Sequence, residues 1–210
     1  MWSPNGHGLS RRVSRLDLVV GPNGAGKSTF VRFVLAPNRP GVPFVNADLI
    51  AGERWPDDPE GRSYEAAEAA ARIRAAMIEA GEEFIAETVF SHPSKIDLVD
   101  HAVAAGYDVH LHVLMVPVEL SVARVAARVA AGEHDVPEGK IRGRHDRLWA
   151  LAADAAGRAR RTSFWDNSGE SPVLIAVRAQ HEWSSAPPGW PWWVHPDLRA
   201  RLGGTVNARN

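Results

Sequence analysis

A glycine-rich segment, GPNGAGKST at residues 21–29, has the residue types and the spacing of a phosphate-binding loop. The pattern G-x-x-x-x-G-K-[ST] is matched by Gly21, Gly26, Lys27 and Ser28. Glycines let backbone amides turn inward around phosphate oxygens, and a helix that follows adds its positive N-terminal end. A chance match in a chain of 210 residues is on the order of 1% at average residue frequencies. The alternative, a glycine-rich turn with a surface lysine, is therefore disfavoured.

We therefore predict that this segment binds a nucleoside triphosphate, ATP, together with Mg²⁺. In such loops the lysine reaches the β- and γ-phosphates and the next hydroxyl binds the metal, so these roles fall to Lys27 and Ser28. No residue identifies the base, so ATP is expected over GTP only as a general preference. The predicted nucleotide contacts are Gly21, Pro22, Asn23, Gly24, Ala25, Gly26, Lys27, Ser28 and Thr29.

A carboxylate that could act as a base follows the second predicted strand, residues 43–46. This residue is Asp48, in the segment VNADLIA. The carboxyl ends of strands face the crevice of such sheets, so Asp48 is expected near the phosphates, where it could accept the proton of an attacking hydroxyl. The alternative is that Asp48 caps a helix beginning at Leu49.

A second group of polar residues follows the third predicted strand, residues 84–87. Glu87 ends this strand, and its carboxylate suits contact with a metal, a water or a substrate hydroxyl; the alternative is a cap or a loop hydrogen bond. Thr88 and Ser91 lie at the same rim and are predicted to contact the substrate. Lys95 lies there too, where it could equally be a solvated helix residue.

Arginines are concentrated in the segment 124–161, which has nine basic and five acidic residues. Arg124 and Arg128 are four residues apart and so lie on one helix face. A loop with His134 and a second predicted helix with further arginines follow. A basic helix–loop–helix is the shape of a lid over a triphosphate, and Arg128 and Arg144 are the predicted phosphate contacts. The alternative for any one of these arginines is a solvated surface charge.

Short apolar runs alternate with helical patterns along the chain, which predicts an α/β fold with a mostly parallel sheet of about five strands and helices on both faces. The predicted strands are 16–20, 43–46, 84–87, 109–116 and 173–177. The predicted helices are 27–35, 65–80, 94–105, 119–131 and 138–161. Asp166, Asn167 and Ser168 could touch the base, although a simple turn is favoured.

One domain is expected, at residues 16–178, with the lid at about 120–161. Residues 1–15 are expected to be disordered or extended, and residues 179–210 to form an irregular segment rich in tryptophan and proline, packed on the domain. The formal net charge of −1 argues against a nucleic-acid partner, and no apolar run is long enough for a membrane span. Without cysteine there are no disulfides, and a cytoplasmic protein is expected.

Taken together, these motifs resemble the zeta toxin family of P-loop kinases. The resemblance covers about residues 16–178, and its most specific part is the arginine-rich segment followed by Gly-x-His-x-Val-Pro. The stretches that carry it are GPNGAGKST (21–29), VNADLIA (45–51), AETVFSHPSK (86–95) and RVAARVAAGEHDVPEGKIRGRHDRL (124–148), and DNSG (166–169) also fits.

The resemblance implies a P-loop kinase fold and ATP-dependent phosphorylation of a UDP-activated amino sugar, of which UDP-N-acetylglucosamine is the best-known substrate. It also implies an antitoxin partner that blocks the ATP site. By position, Asp48 corresponds to the catalytic base, Lys27 to the loop lysine, Glu87 to the sugar-contacting acid and Arg128 to a lid arginine. His134 stands where better-known members have a second arginine, a role that Arg144 could fill.

Two other functions remain open from the sequence. One is a metabolite or antibiotic kinase of the same fold, which the departures in the substrate pocket would favour: residues 88–91 read Thr-Val-Phe-Ser, and Ala71 stands where an acid is expected, with Glu68 one turn away. The other, from a different class, is a regulatory switch that binds a nucleoside triphosphate and acts through a partner. Asp48 argues against the switch, because a switch needs no acceptor base.

Overall fold

The computed structural model describes residues 13–131 and 136–207, and it is built around a seven-stranded sheet with the strand order β2-β3-β1-β4-β5-β6-β7. The first five strands in this order are parallel, and β6 and β7 are added antiparallel at one edge. The strands are β1 Arg15–Val20, β2 Phe44–Val45, β3 Phe84–Thr88, β4 Asp108–Met115, β5 Arg161–Asp166, β6 Val173–Ala179 and β7 Glu182–Trp183. Two short strands, β8 Gly189–Trp190 and β9 Thr205–Val206, pair separately.

Helices connect the parallel strands, as right-handed crossovers require. The first, α1, continues through a π-helical turn at Val31–Leu35 and a 3₁₀ turn at Ala36–Asn38. Gly81 ends α3 with φ at 70°, and the amides of Gly81 and Glu82 bond back to the last turn of the helix. The helices are α1 Lys27–Phe30, α2 Ala47–Arg54, α3 Ser63–Ala80, α4 Ser94–Ala104, α5 Val118–Ala130, α6 Glu138–Ala156 and α7 Pro196–Leu202.

The α/β class and the parallel arrangement are confirmed, but the predicted number of about five strands is too low. The main error is at β5, since the helix predicted over 138–161 ends at Ala156, with Gly157 as its cap. Arginines at 158, 160 and 161 continue a polar helical pattern, whereas the strand is stabilised by its six-residue pairing with β4. Sheet pairing thus overrides a local helical pattern.

The two faces of the sheet are covered by separate apolar clusters. On one face, Phe30, Val31 and Leu35 from α1 and its continuation pack against β1, β3 and β4. On the other face the larger cluster contains residues of α3, α4, α6 and α7. Since α1 follows the glycine-rich loop directly, the smaller cluster fixes the position of that loop relative to the ends of β1 and β3.

The segment after β7 belongs to the same core. Trp190 is fully buried, with its ring centroid 5.3 Å from Phe164 of β5, and its indole nitrogen donates a hydrogen bond to the Gly203 carbonyl at 2.6 Å. Leu198 of α7 is also fully buried. Within residues 13–131 and 136–207, no helix combines the length and the apolarity that a membrane span needs.

The burial of Trp190 leads to a stability prediction. Trp190→Ala should lower the free energy of unfolding by about 3–5 kcal/mol, because it leaves a large cavity against β5. Trp192→Ala is the matched control: that side chain is 46% exposed, so its loss should cost less than about 1 kcal/mol. Denaturant unfolding of both variants measures the difference, and equal losses would contradict the core role of Trp190.

Candidate active site

The loop between β1 and α1 has the geometry of an anion cradle. Gly24 and Gly26 have φ angles of 71° and 77°, which side chains other than glycine rarely adopt. A Cβ atom at Gly24 would also lie 2.7 Å from the Ser121 carbonyl oxygen. None of the loop amides of Gly24, Gly26, Lys27 and Ser28 donates a hydrogen bond to another described residue. These amides are therefore available to an anion at the start of α1.

The outer side of the loop is fixed by residues that are distant in sequence. The Asn167 amide nitrogen donates to the Ala25 carbonyl at 2.6 Å, and the Ser121 hydroxyl donates to the Asn23 carbonyl. Arg124 spans the same region, since its guanidinium donates to the carbonyls of Asn167 at 2.9 Å and Ser168 at 3.3 Å and approaches that of Gly24 at 3.4 Å. The loop is thus held between α5 and the turn after β5.

The ends of β1, β2 and β3 meet at one carboxylate. Glu87 Oε1 accepts hydrogen bonds from the Ser28 hydroxyl at 2.9 Å and from the Asn46 amide at 2.6 Å. The other oxygen, Oε2, is buried and has no hydrogen-bond partner. Burial raises the pKa of the Glu87 carboxyl, and the nearby Lys27 and the two hydrogen bonds oppose that rise. The structure therefore places Glu87 beside the predicted metal ligand Ser28.

Four charged side chains act on the Lys27 ammonium, which donates a hydrogen bond to the Pro22 carbonyl at 3.0 Å. Burial lowers the pKa of Lys27. Of the charged neighbours, Glu87 and Asp48 raise this pKa, whereas Arg128 and Arg144 lower it further. All four therefore lie within electrostatic range of the loop lysine.

Asp48 lies in the first turn of α2 with an exposed side chain. It does not cap the helix. The cap is Asn46, whose side-chain oxygen accepts hydrogen bonds from the amides of Asp48 at 2.6 Å and Leu49 at 3.1 Å. The capping alternative for Asp48 is therefore wrong, and its carboxylate is available at the crevice.

The predicted lid consists of α5 and α6. Arg142 joins the two helices through Glu119, with nitrogen–oxygen distances of 2.7 and 2.8 Å, and it also contacts Glu138 at 2.8 Å. An open cavity of about 380 Å³ lies at the start of α6, and its lining includes Gly139, Lys140, Gly143, Arg144 and Arg147. His134 lies outside the described residues.

Thr88 and Ser91, the two hydroxyl residues predicted to contact substrate, both accept hydrogen bonds within the protein. The Thr88 hydroxyl oxygen accepts a hydrogen bond from the Phe90 amide at 3.4 Å, in a turn where the buried Phe90 has φ at 60°. The Ser91 carbonyl oxygen accepts one from Arg147 of α6 at 3.3 Å. This rim is therefore joined to the lid through Arg147.

Sequence reasoning missed two asparagines. The sequence pattern predicts only a strand end at Asn46, although an Asn two residues before a helical Asp is a typical capping signal. For Asn167 it favours a simple turn. The contacts of Asn46 with Glu87 and of Asn167 with Ala25 join residues 41 and 142 positions apart, so no local pattern reveals them.

Comparison with known proteins supports the fold. The sequence profile of the AAA domain matches residues 16–151. A solved structure from the PezAT chromosomal toxin–antitoxin system of the human pathogen Streptococcus pneumoniae superposes with a TM-score of 0.60 at 14% identity, covering 79% of this chain and 72% of that one. The AvrRxo1-ORF1:-ORF2 complex with ATP gives 0.53 at 16% identity, covering 83% and 61%. No curated protein matches the chain.

At these identities the structural likenesses show the fold, and they confirm the P-loop kinase fold expected from the resemblance to zeta toxins. The profile match shows the family, because it spans more than half of the chain. The matched residues include the loop, Asp48, Glu87, Arg128 and Arg144. The chain therefore belongs to the AAA domain family and has a P-loop kinase fold.

Proposed function

We propose that this protein is an ATP-dependent kinase that transfers the γ-phosphate to a hydroxyl of a small molecule. The observation that carries the proposal is the charge arrangement at Lys27. Two carboxylates, Asp48 and Glu87, and two arginines of the predicted lid, Arg128 and Arg144, lie within electrostatic range of its ammonium. Cations around a transferring phosphoryl group and a carboxylate for the attacking hydroxyl are the parts that phosphoryl transfer needs.

The loop residues fit a nucleoside triphosphate. The free amides of Gly24, Gly26, Lys27 and Ser28 would bind phosphate oxygens, and the Lys27 ammonium would exchange its bond to the Pro22 carbonyl for one to a phosphate. Arg124, Asn167 and Ser168 form the adjacent wall, where the base would lie.

A magnesium ion fits the same site. Ser28 would be its protein ligand, and the partnerless Oε2 of Glu87 is an acceptor for a metal-bound water. No cluster of three or more His, Asp or Glu side chains suited to a metal occurs in residues 13–131 and 136–207, so the remaining ligands would be phosphate oxygens and water. When bound, the ion would neutralise charge on the phosphates.

Asp48 is the proposed general base. Its exposed carboxylate would accept the proton as the acceptor oxygen bonds to the γ-phosphorus and the bond to the β-phosphate breaks. Arg128 and Arg144 would stabilise the charge on the transferring group. Because Arg142 joins α6 to α5, Arg128 and Arg144 would move together as a lid that excludes water.

For the acceptor, we propose a UDP-activated amino sugar, with UDP-N-acetylglucosamine as the first candidate, and an antitoxin as a partner. Support comes from the resemblance to zeta toxins and from the fold shared with a structure from a toxin–antitoxin system. Glu87, Thr88 and Ser91 would line the acceptor side. A metabolite kinase of the same fold is the second candidate, because the Thr88 hydroxyl oxygen already accepts a hydrogen bond from the Phe90 amide and is less available to a sugar.

An acceptor screen tests the proposal directly. We expect the purified protein, with ATP and Mg²⁺, to add one phosphate to a UDP-amino sugar, detected as a gain in product mass. Phosphate transfer only to other sugars or metabolites would contradict the UDP-amino sugar as substrate but would still support kinase activity. Nucleotide binding without transfer to any compound would overturn the kinase in favour of a regulatory switch.

Asp48→Asn separates chemistry from binding. Loss of the base should lower kcat by about 10²- to 10⁴-fold, while the affinity for ATP stays nearly unchanged. Lys27→Ala should weaken both ATP binding and transfer, because the ammonium contacts the phosphates throughout. Asp97→Asn is the matched control, since Asp97 is also an exposed aspartate in a first helical turn. Equal kcat in Asp48→Asn and Asp97→Asn would exclude Asp48 as the base.

The double role of Asn46 leads to a pH-dependent prediction. Asn46→Ala should lower the free energy of unfolding by about 1–2 kcal/mol through loss of the α2 cap. Asn46→Asp keeps the capping oxygen but puts a second carboxylate against Glu87, whose pKa is already raised by burial. The like charge should raise it further.

A carboxyl whose pKa is raised by folding stabilises the protein fully below its unfolded pKa, about 4.3 for Glu, and this contribution is lost as pH rises through the folded pKa. Asn46→Asp should therefore be close to the parent at about pH 4 and clearly less stable at about pH 8. Denaturant unfolding at about pH 4, 5, 6, 7 and 8 measures this trend. A difference that does not change with pH would show that Glu87 and position 46 are not coupled.

A further inference from the structure

Helix α3 carries a buried arginine without a counter-charge. Arg74 is 7% exposed and lies between Ala70 and Met77 on the side of α3 that faces the core. Its Nε atom has no hydrogen-bond partner, and no carboxylate in the described ranges forms an ion pair with the guanidinium. A buried cation is costly unless it is paired, and so little exposure leaves the head group of Arg74 small access to water.

A second cation lies within electrostatic range of Arg74. Lys95, in the first turn of α4, is half-buried, and its pKa is lowered first by burial and then by the charge of Arg74. Two neighbouring cations repel each other, so this arrangement is unfavourable in the protein alone. An anion near both would offset the repulsion and could accept a hydrogen bond from the guanidinium of Arg74, whose Nε is without a partner.

The pair lies at the level of the candidate site. Only residues 81–83 connect α3 to β3, so the helix and the strand run in opposite directions. Arg74 lies about 9 Å from the end of α3 along its axis, and Glu87 lies about 10 Å from the start of β3. Arg74 is therefore at about the height of Glu87, and Lys95 lies in the helix that follows the end of the same strand.

We propose that Arg74 and Lys95 bind an anionic oxygen group, a phosphate or a carboxylate, of the molecule that receives the phosphate. The proposal rests on the proposed kinase function, since it places the acceptor against Glu87 and Asp48. The guanidinium supplies paired donors that match either anion, and the ammonium supplies a point charge. An uncharged acceptor would leave Arg74 unpaired.

Ligand-induced changes in melting temperature test this site without requiring catalysis. The protein is first saturated with Mg²⁺ and a non-hydrolysable ATP analogue, so that added anions cannot occupy the glycine-rich loop. The probes are UDP-N-acetylglucosamine and glucose 6-phosphate for phosphates, glucuronate for carboxylates, and N-acetylglucosamine as the uncharged compound. We expect at least one charged probe, and not N-acetylglucosamine, to raise the melting temperature, and the responding class identifies the anion.

Arg74→Met is the test variant, and Arg72→Met, on the same helix, is the matched control. Arg72 is exposed and lies 3.6 Å from Glu68 in an ordinary surface pair. Without a ligand, Arg74→Met should melt at or above the parent temperature, because an unpaired buried charge is removed. Its affinity for the charged probe should fall about 10- to 100-fold, whereas Arg72→Met should match the parent. Lys95→Met, at a less buried position, should also weaken binding.

The possible results distinguish failure of the anion site from failure of the proposed kinase function. A parent that responds to none of the charged probes, or an unchanged affinity in both Arg74→Met and Lys95→Met, would overturn the anion site. Phosphate transfer with the same KM in Arg74→Met and the parent would also overturn it while leaving the kinase intact. Binding that depends on Arg74, in a protein that transfers phosphate to no compound, would overturn the proposed function and leave the anion site standing.

Discussion

The shared hydrogen bonds to Glu87 Oε1 hold the site together. Ser28 brings the glycine-rich loop to this oxygen, and Asn46 brings the start of α2, so the ends of β1, β2 and β3 are fixed relative to one another. Because Asn46 also caps α2, the same side chain sets the position of Asp48. The arrangement requires a buried carboxyl with a raised pKa beside a lysine with a lowered one, which is unfavourable in the protein alone. A bound cation and phosphates would relieve both, as is common at functional sites.

A second set of contacts joins the loop to the lid. Arg124 of α5 bonds to carbonyls of the turn after β5, and the Ser121 hydroxyl bonds to the loop itself. The start of α5 is therefore fixed beside the loop, and Arg128 lies one turn further along the same helix than Arg124. The ion pair of Arg142 with Glu119 joins α5 to α6.

Acidic and basic residues are grouped in separate regions of the protein, although its net charge is only −1. Carboxylates follow β2 and β3, arginines are concentrated on α5 and α6, and Arg74 and Lys95 lie on α3 and α4. A substrate that carries a neutral hydroxyl at one end and an anionic group at the other would match this distribution of charge. Its hydroxyl would face Asp48, and its anionic group would pair with Arg74. The local charges, rather than the overall charge, thus define which molecule could bind.

The glycine-rich loop is predictable from the sequence, because GPNGAGKST carries the required glycines between a strand and a helix. The sequence also predicts that Asp48 and Glu87 follow strands whose ends meet, since parallel topology brings those ends to one edge. The partners that complete the site depend on tertiary contacts. Asn46 meets Glu87, Asn167 meets Ala25, β5 forms by pairing with β4, and Arg74 is left without a carboxylate. Each depends on segments far apart in the chain, and local propensity carries no information about such contacts.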